Sequence, residues 1–295
     1  MKTGFLSSPV AEDLIERVRS GDCILFLGAS VHAPPPRQSP YKYPSSRRPP
    51  SAQKLTRKMA VKCEFKKQLP DEAETLQRVS LCFEKTPGLG RRALVQFLKE
   101  ELEPGRAPSP ALEMLASLPF KIIVTTNYDH LLEKALRKRG KSPQKIVYTP
   151  KRKVCDDFED LSSAEPLLFK FHGDLSKRKS IVITDEDYIQ FIQRMSDHPD
   201  YHPVPETVRF QMRRWPTLFV GYSLLDYNLR LLFRTLRWTI DKANFPASYS
   251  VDLKPDPLIM KVWQDERSII TFVSQNLWRF VPELFQLVTR KEYKP

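Results

Sequence analysis

The chain has 295 residues, of which 41% are hydrophobic, and its 48 basic and 35 acidic side chains give a net charge of +13. This length and apolar content exclude a disordered chain and are sufficient for a packed core. The four cysteines contain no Cys-x-x-Cys pair, which excludes a zinc ribbon, and the apolar runs are too short to cross a bilayer. With no signal-peptide core in MKTGFLSSPV, we expect a soluble cytoplasmic protein that binds no metal.

The first part of the chain is predicted to contain a helix, a strand and a helical block. Ser8-Pro9 predicts a helix start, because proline is favoured in the first helical turn. The apolar run at 23–27 predicts a buried strand, and the proline-rich residues 34–50 predict a loop. Apolar residues then recur at three- and four-residue spacing over 51–118. We expect this block to form a helical lobe inserted after the first strand.

From residue 121 onward, short apolar runs alternate with helical patterns. Strands are predicted at 121–125, 145–148, 167–171, 180–183, 218–220, 248–251 and 268–272. Helices are predicted at 128–139, 185–194, 206–214, 226–242 and 275–288. This alternation indicates an α/β fold with a mainly parallel sheet that is covered on both faces. We expect one domain over 1–295, with 243–295 as a C-terminal strand and helix extension.

Small or polar residues follow four predicted strands, at the edge where open parallel sheets bind ligands. The first group is Gly28-Ala29-Ser30-Val31-His32. Small residues here let backbone N–H groups approach a pyrophosphate, although an ordinary turn has the same composition. Position 30 would favour glycine if its φ were positive, and Ser30→Gly would then raise activity.

The second group is TTNYD, at 125–129, where a strand passes into a helix. The structural alternative is that Thr126 or Asn127 caps the helix and that Asp129 interacts with the helix dipole. Capping explains one polar residue and leaves the others in the run without a structural reason. We therefore treat this group as a candidate site.

The third group is FKFHGDL, at 169–175, in which His172 ends an apolar strand. A histidine in this position is often structural. A neutral imidazole with a carboxylate two residues away, here Asp174, is also suited to general-base catalysis near neutral pH. Both interpretations remain open from the residues alone.

The fourth group is FVGYSLLDYNLR, at 219–230. Gly221 ends the strand, and Ser223 and Asp226 offer hydrogen-bond partners for ribose hydroxyls. The alternative is that Ser223 or Asp226 is simply the cap of the next helix. Four strand ends with such residues are, taken together, an improbable coincidence.

The order GA-x, TTNYD, HGD and GYSL-x-D-x-N-x-R resembles the sirtuin-like NAD-hydrolysing domain of bacterial anti-phage defence proteins, over about residues 20 to 240. The resemblance implies a Rossmann-like sheet with a helical lobe. It further implies an NAD+ glycohydrolase that converts NAD to nicotinamide and ADP-ribose and depletes it. The family's Gly-Ala-Gly is Gly28-Ala29-Ser30 here. The four-cysteine zinc ribbon of protein-deacylating sirtuins is missing, which argues against a zinc-dependent deacylase.

The resemblance also implies roles for the strand-end residues. It places Gly28 and Ala29 at the pyrophosphate, Asn127, Asp129 and His172 at the nicotinamide ribose, and Gly221 and Ser223 near the adenosine half. Further NAD-binding candidates are Ser30, His32, Thr126, Tyr222 and Asp226. We expect Asn127 to hold the attacking water, His172 to polarise the ribose or act as general base, and Asp129 to orient them.

Two other functions remain open. The chain could bind or sense NAD or an NAD-derived nucleotide with little turnover, or be a nucleic-acid-associated effector subunit, as its net charge of +13 suggests. Because a toxic NADase must be kept silent, we expect control by homo-oligomer formation or by a partner protein, for which the resemblance implies a HerA- or STAND-type ATPase. His198 and His202 have i, i+4 spacing, but prolines interrupt the helix that a metal site would need. Tyr41 or Tyr43 is a candidate cover for the nicotinamide ring.

Overall fold

The computed structural model describes residues 5–150, 160–196, 202–225, 227–237, 246–264 and 270–293. Their strands are β1 (Ile24–Leu27), β2 (Ile122–Thr125), β3 (Gln144–Val147), β4 (Leu167–Lys170), β5 (Thr217–Val220), β6 (Ser248–Val251) and β7 (Ile270–Val273). These seven strands form one sheet in the order β3-β4-β2-β1-β5-β6-β7. Every neighbouring pair is parallel, so the predicted α/β class with a parallel sheet is confirmed.

Helices precede, connect and follow these strands. They are α1 (Pro9–Ser20), α2 (Ala52–Lys62), α3 (Phe65–Gln68), α4 (Leu76–Lys85), α5 (Gly90–Leu102), α6 (Pro110–Ser117), α7 (Leu131–Lys138), α8 (Asp185–Ser196), α9 (Glu206–Met212), α10 (Tyr227–Arg237), α11 (Pro257–Gln264) and α12 (Leu277–Thr289). Side-chain caps set several starts, since Ser51, Thr75 and Ser109 accept backbone N–H groups of α2, α4 and α6. None of the described helices combines the length and apolar character needed to cross a bilayer.

The structure differs from the sequence-based expectations at one predicted strand and at one helix that was not predicted. The strand expected at 180–183 is wrong, because a 3₁₀ turn at Arg178–Ser180 leads into a loop that makes no sheet ladder. The apolar side chains of Ile181 and Ile183 pack into the helical lobe instead. Helix α11 was not predicted. Its first N–H groups, those of Leu258 and Ile259, are accepted by Asp256 Oδ1.

The sheet has an apolar core on each face. In β1 the side chains of Leu25 and Leu27 belong to one core, and those of Ile24 and Phe26 belong to the other. Helices α1, α6, α7 and α12 contribute to the first core, and α8 to α11 contribute to the second. A central strand that is buried on both faces explains why the run at 23–27 is uniformly apolar rather than alternating.

The helical block between β1 and β2 has a third core. Side chains from α2 to α5, including Met59, Phe83 and Leu98, pack together there. The loop after β4 completes this core with Leu175 and with the two isoleucines named above. Helix α6 packs instead against the sheet, beside α7 and α12. The helical lobe is therefore built from α2 to α5.

Candidate active site

A cavity of about 1020 Å³ opens at the carboxyl ends of β1, β2, β4 and β5. Its volume is at the upper end of the range for small-molecule sites, about 300–1,000 Å³. Its sheet side is formed by predicted site residues from all four strand ends: Ala29, Ser30, Thr126, Asn127, Asp129, His172, Gly221, Tyr222 and Ser223. The opposite wall is largely apolar and comes from α2, α4, α8 and α11. The structure thus brings together groups that are far apart in sequence.

Two of the described predicted site residues do not line this cavity. Gly28 is buried behind Ala29 and Ser30. His32 is buried as well, and its Nδ1 lies 3.1 Å from the hydroxyl of Tyr43. Asp226 lies outside the described residues, as does His198 of the histidine pair.

His32 has a structural role. The Tyr43 hydroxyl donates its single proton to the carbonyl of Ala107, so His32 Nδ1 must be the donor in their hydrogen bond. Burial lowers the pKa of His32, which keeps the imidazole neutral. Tyr43 and Tyr41 are not among the cavity-lining residues that the structure describes, and Tyr41 packs against Trp278. The expected tyrosine cover of the nicotinamide ring is therefore not found in this arrangement.

Gly28 and Gly221 let the loops after β1 and β5 touch. The Ser30 N–H donates to the Gly221 carbonyl at 3.0 Å. A Cβ on Gly28 would lie 2.3 Å from the Gly221 oxygen, and one on Gly221 would lie 2.3 Å from the Val31 nitrogen. Gly221 also has a φ of +68°, a region that favours glycine. These two positions admit no side chain without moving the floor of the cavity.

Ser30 does not have the conformation that would call for glycine. It lies in the 3₁₀ turn Ala29–His32. Among the described residues, positive φ outside glycine occurs at Glu64, Leu224 and Arg290. The condition under which Ser30→Gly was expected to raise activity is therefore not met. Because the Ser30 N–H already bonds the Gly221 carbonyl, its exposed hydroxyl is the group that remains to reach a phosphate.

We expect Gly221→Ala to lower the free energy of unfolding by about 2 kcal/mol or more, because left-handed strain and a backbone clash combine. The matched control is Gly88→Ala. Gly88 has a φ of +82°, but nothing lies within 4 Å of its added Cβ. The control should lose only about 1 kcal/mol, the effect of the φ constraint. Urea denaturation checks both values, and equal losses would show that the contact between the two loops is not tight.

Asn127 lines the cavity and has one unsatisfied polar atom. Its backbone N–H donates to Thr125 Oγ1, and that hydroxyl donates to the Leu27 carbonyl of the adjacent strand. The backbone at the end of β2 is thus fixed. The side-chain Oδ1 of Asn127 is buried and has no hydrogen-bond partner among the described residues. Buried polar atoms are nearly always bonded, so this acceptor is suited to a water or ligand in the cavity.

Asp129 has a structural contact in addition to its place in the cavity wall. Its Oδ1 accepts the N–H of Leu131, the first residue of α7, at 2.9 Å. Its backbone carbonyl accepts a hydrogen bond from the buried ammonium of Lys170. A structural role for Asp129 at the helix start is therefore present, but Thr126 and Asn127, the expected caps, do not precede α7, which begins at Leu131. The same contacts fix the turn that carries Asn127.

His172 lies in an aromatic environment at the end of β4. Only 3% of the residue is exposed, and its ring centroid lies 5.0 Å from that of Phe171 and 5.3 Å from that of Tyr188. Its backbone carbonyl accepts the N–H of Val182. The imidazole thus lies at the cavity wall beside aromatic rings, on a backbone that is held by the bond to Val182.

The expected pairing of His172 with Asp174 is wrong. Gly173, at a φ of +91°, turns the chain so that Asp174 faces away from the cavity. Its Oδ1 lies 2.9 Å from His130 Nε2, and its Oδ2 lies 3.0 Å from Lys145 Nζ. The carboxylate therefore fastens the loop to the sheet edge and does not assist the imidazole two residues before it.

Asp174 belongs to a buried charge network below the cavity. Lys170 Nζ lies 3.9 Å from Asp174 and 3.7 Å from Glu133, and all three side chains are at most 2% exposed. Burial raises the pKa of Asp174, but hydrogen bonds from His130 and Ser176 and the charge of Lys170 outweigh it and hold the pKa well below its usual range.

The ligand-type atoms of His130, Glu133 and Asp174 lie within 4.8 Å of one another. A metal ion could use such a set. Lys145 and Lys170 already supply positive charge there, at 3.6 and 3.7 Å from Glu133. We interpret the cluster as an ion-pair network that anchors the loops carrying Asn127 and His172.

Comparison with known proteins identifies the family. The SIR2-like domain family matches residues 121–271, which span β2 to the start of β7 and include the TTNYD, HGD and GYS segments. The chain belongs to the SIR2-like domain family. This membership confirms the sirtuin-like resemblance, and the parallel sheet agrees with a Rossmann-like fold.

Curated relatives of this SIR2-like domain carry related names. It is 32% identical over 163 residues to NAD(+) hydrolase ThsA of Enterococcus faecium, a segment that covers 54% of this chain and 30% of the relative. It is 30% identical over 148 residues to NAD(+) hydrolase ThsA of Acinetobacter baumannii, covering 50% and 28%. It is 26% identical over 172 residues to defense-associated sirtuin 2 of Bacillus subtilis, covering 57% and 16%. The matched segment spans less than a third of each of these relatives.

Sequence reasoning missed part of the SIR2-like cavity. Tyr188 and Ile192 of α8 line it, and so does Arg230 of α10. Arg230 is the last residue of the GYSL-x-D-x-N-x-R segment, so the motif itself was a signal for it. The apolar residues of α8 had no such signal, because helix periodicity predicts a buried face without saying what that face covers.

The network below the SIR2-like cavity is expected to be pH-dependent. The hydrogen bond to Asp174 raises the pKa of His130 above its ordinary value of 6.5, against the opposing effect of burial. The stabilisation that protonated His130 gives is then complete below pH 6.5. It is lost as the pH rises through the higher pKa that His130 has in the folded state. We expect His130→Gln to destabilise the fold more at about pH 5.5 than at about pH 8.5, because His titrates between them. Urea denaturation at both values checks this, and an equal loss would contradict a protonated His130.

Proposed function

We propose that this SIR2-like domain hydrolyses NAD+ to nicotinamide and ADP-ribose, as an NAD-depleting effector in bacterial anti-phage defence. The names of the relatives, NAD(+) hydrolase ThsA and defense-associated sirtuin 2, support both parts of the proposal. The observation that carries it is the buried, unsatisfied Oδ1 of Asn127 in a cavity formed by four strand ends.

The chemistry requires few groups. The bond between the ribose anomeric carbon and the nicotinamide nitrogen breaks, its electron pair goes to that nitrogen, and nicotinamide leaves neutral. The anomeric carbon then carries oxocarbenium-like charge until a water oxygen bonds to it and releases a proton. A leaving group that departs neutral does not need a strong acid, so positioning of the water and stabilisation of the ribose dominate.

We assign these roles to residues at the ends of β2 and β4. The Asn127 carboxamide accepts a hydrogen bond from the attacking water and directs its lone pair at the anomeric carbon. His172, which lies beside aromatic rings at the end of β4, bonds a ribose hydroxyl or takes the released proton. Asp129 acts by holding the turn on which Asn127 lies, through its bond to Leu131.

The rest of NAD is assigned along the same edge. We propose that the pyrophosphate lies over the turn after β1, where Ala29 and Ser30 are exposed to the cavity. The adenosine half then lies by the loop after β5, where Gly221, Tyr222 and Ser223 line the wall. Thr126 lies beside the turn after β1, at the end of the neighbouring strand β2, and donates its N–H to the Leu27 carbonyl. The apolar residues on the opposite side exclude water from the reacting ribose.

Titration calorimetry with NAD, followed by quantification of the NAD that remains, tests the proposal against a sensing module. Hydrolysis predicts binding and a continuing loss of NAD with nicotinamide release. A sensor predicts saturable binding with all NAD recovered, and that result would replace the present assignment. The calorimetric arm shows that the cavity is intact in either case.

Control of such an activity is expected, because uncontrolled hydrolysis would deplete the host's own NAD. We propose that a single domain over 1–295 acts in the cytoplasm and is held inactive until it self-assembles or meets a partner protein, such as a HerA- or STAND-type ATPase. The chain's net charge of +13 also leaves nucleic acid as a candidate partner.

A further inference from the structure

A second concave site lies on the helical lobe, outside the cavity described above. It is a groove of about 470 Å³ between α5 and the loop that follows His172. Five cationic side chains line it: Arg92, Lys99, Lys177, Arg178 and Lys179. We call this site the basic groove. The basic groove has no role in the NAD hydrolysis proposed above.

The two walls of the basic groove are fixed relative to each other. Arg91, beside Arg92 on α5, donates to the Ile181 carbonyl of the loop and pairs with Asp187 at 2.8 Å. Within the loop, the Lys177 N–H donates to the backbone carbonyl of Asp174 at 2.9 Å. The side-chain carboxylate of Asp174 is in turn anchored in the buried network. The groove is therefore a preformed site and does not depend on a loose run of lysines.

The cations of the basic groove have no ion-pair partner within the part of the chain that the structure describes. Among the described residues, no carboxylate lies within ion-pair distance of these five side chains, whereas neighbouring Arg91 has two such partners, Glu84 and Asp187. Glu100 of α5 accepts a hydrogen bond from the Gln96 amide, and Glu103 pairs with His130. Concentrating unpaired positive charge is unfavourable unless an anion joins it. The arrangement therefore indicates a multiply charged anionic ligand.

The shape and lining favour a small phosphate compound over a nucleic acid. The volume is within the small-molecule range of about 300–1,000 Å³. Single-stranded nucleic acids are usually bound with aromatic stacking platforms, and none of the described lining residues is aromatic. We propose that the basic groove binds a small molecule with two or more linked phosphates, held through the phosphates. This site is separate from the NAD cavity, although one loop contributes to both.

The test is calorimetric titration of the full-length protein with inorganic tripolyphosphate at about 0.15 M salt, where weak surface attraction is screened. Lys177→Gln/Lys179→Gln should weaken binding about tenfold or more, because charge-assisted hydrogen bonds to phosphate are lost. The matched control is Lys134→Gln/Arg137→Gln, which removes the same charge from exposed positions of α7. It should leave the affinity unchanged.

Each other outcome would overturn the proposal. No binding, equal weakening in both double variants, or full binding in the groove variant would show that the groove is not the site. A further arm titrates single- and double-stranded oligonucleotides. If these bind the native protein more tightly per phosphate than tripolyphosphate does, and the groove variant loses that binding, the groove contacts a nucleic-acid backbone instead. Because only binding is measured, failure here is independent of NAD hydrolysis.

Discussion

Asn127→Ala is expected to lower the rate of nicotinamide release by about 100-fold or more, the usual effect of removing one positioned polar group at a reacting centre. The Oδ1 that is lost has no hydrogen-bond partner among the described residues, so its removal breaks no contact of the fold that the structure shows. The free energy of unfolding should therefore change little. Release is measured by chromatography of the nicotinamide formed from NAD.

Asn276→Ala is the matched control for that experiment. The Asn276 side chain caps α12 by accepting the N–H of Trp278 at 2.8 Å, and it is not among the described cavity residues. Its loss should cost about 1 kcal/mol of stability and leave the release rate unchanged. Asn127→Ala is thus expected to lower the release rate and spare the stability, whereas Asn276→Ala is expected to lower the stability and spare the release rate. If Asn127→Ala retains the full rate, Asn127 does not hold the attacking water.

Lys170→Met is expected to destabilise the protein by about 3–5 kcal/mol, because removing one partner of a buried ion pair leaves the other charges uncompensated. The ammonium is fully buried near Glu133 and Asp174 and also bonds the Asp129 carbonyl. Methionine keeps an unbranched apolar side chain up to the Cε position and removes the ammonium. Urea denaturation measures the loss.

Lys134→Met provides the comparison for the buried lysine. This residue lies on the exposed face of α7, so its substitution should change the free energy of unfolding by about 0.5 kcal/mol or less. If Lys170→Met does not fold under any condition, Lys170→Arg is used in its place. Arginine keeps the positive charge, so this variant should fold with a smaller loss in the free energy of unfolding. A loss below about 1 kcal/mol for Lys170→Met would contradict the buried network.

The sheet could be predicted from sequence because its strands carry a strong local signal. The runs CILFL, IIV and LLF are apolar throughout and are followed by small or polar residues, as in buried parallel strands. Since parallel strands present their carboxyl ends at one edge, the polar groups that follow them were expected to meet, and Ala29, Asn127, His172 and Gly221 do line one cavity.

Details that depend on tertiary partners could not be predicted. The partner of Asp174 is His130, 44 residues earlier, and the left-handed turn at Gly173 determines that pairing. The apolar run at 180–183 has the composition of a strand, but it packs into the lobe core. The conformation of Ser30 depends on the contact of two loops that are nearly 190 residues apart in sequence, about which the local residues carry no information.

The most direct measurement is the release of nicotinamide and ADP-ribose from NAD by the purified full-length protein, with and without an extract of phage-infected cells. The native protein is expected to form the two products in equal amounts in at least one of these conditions, and Asn127→Ala should form almost none. NAD that remains intact in both conditions, with folded protein that binds it, would contradict the assignment of this cavity as a site of NAD hydrolysis.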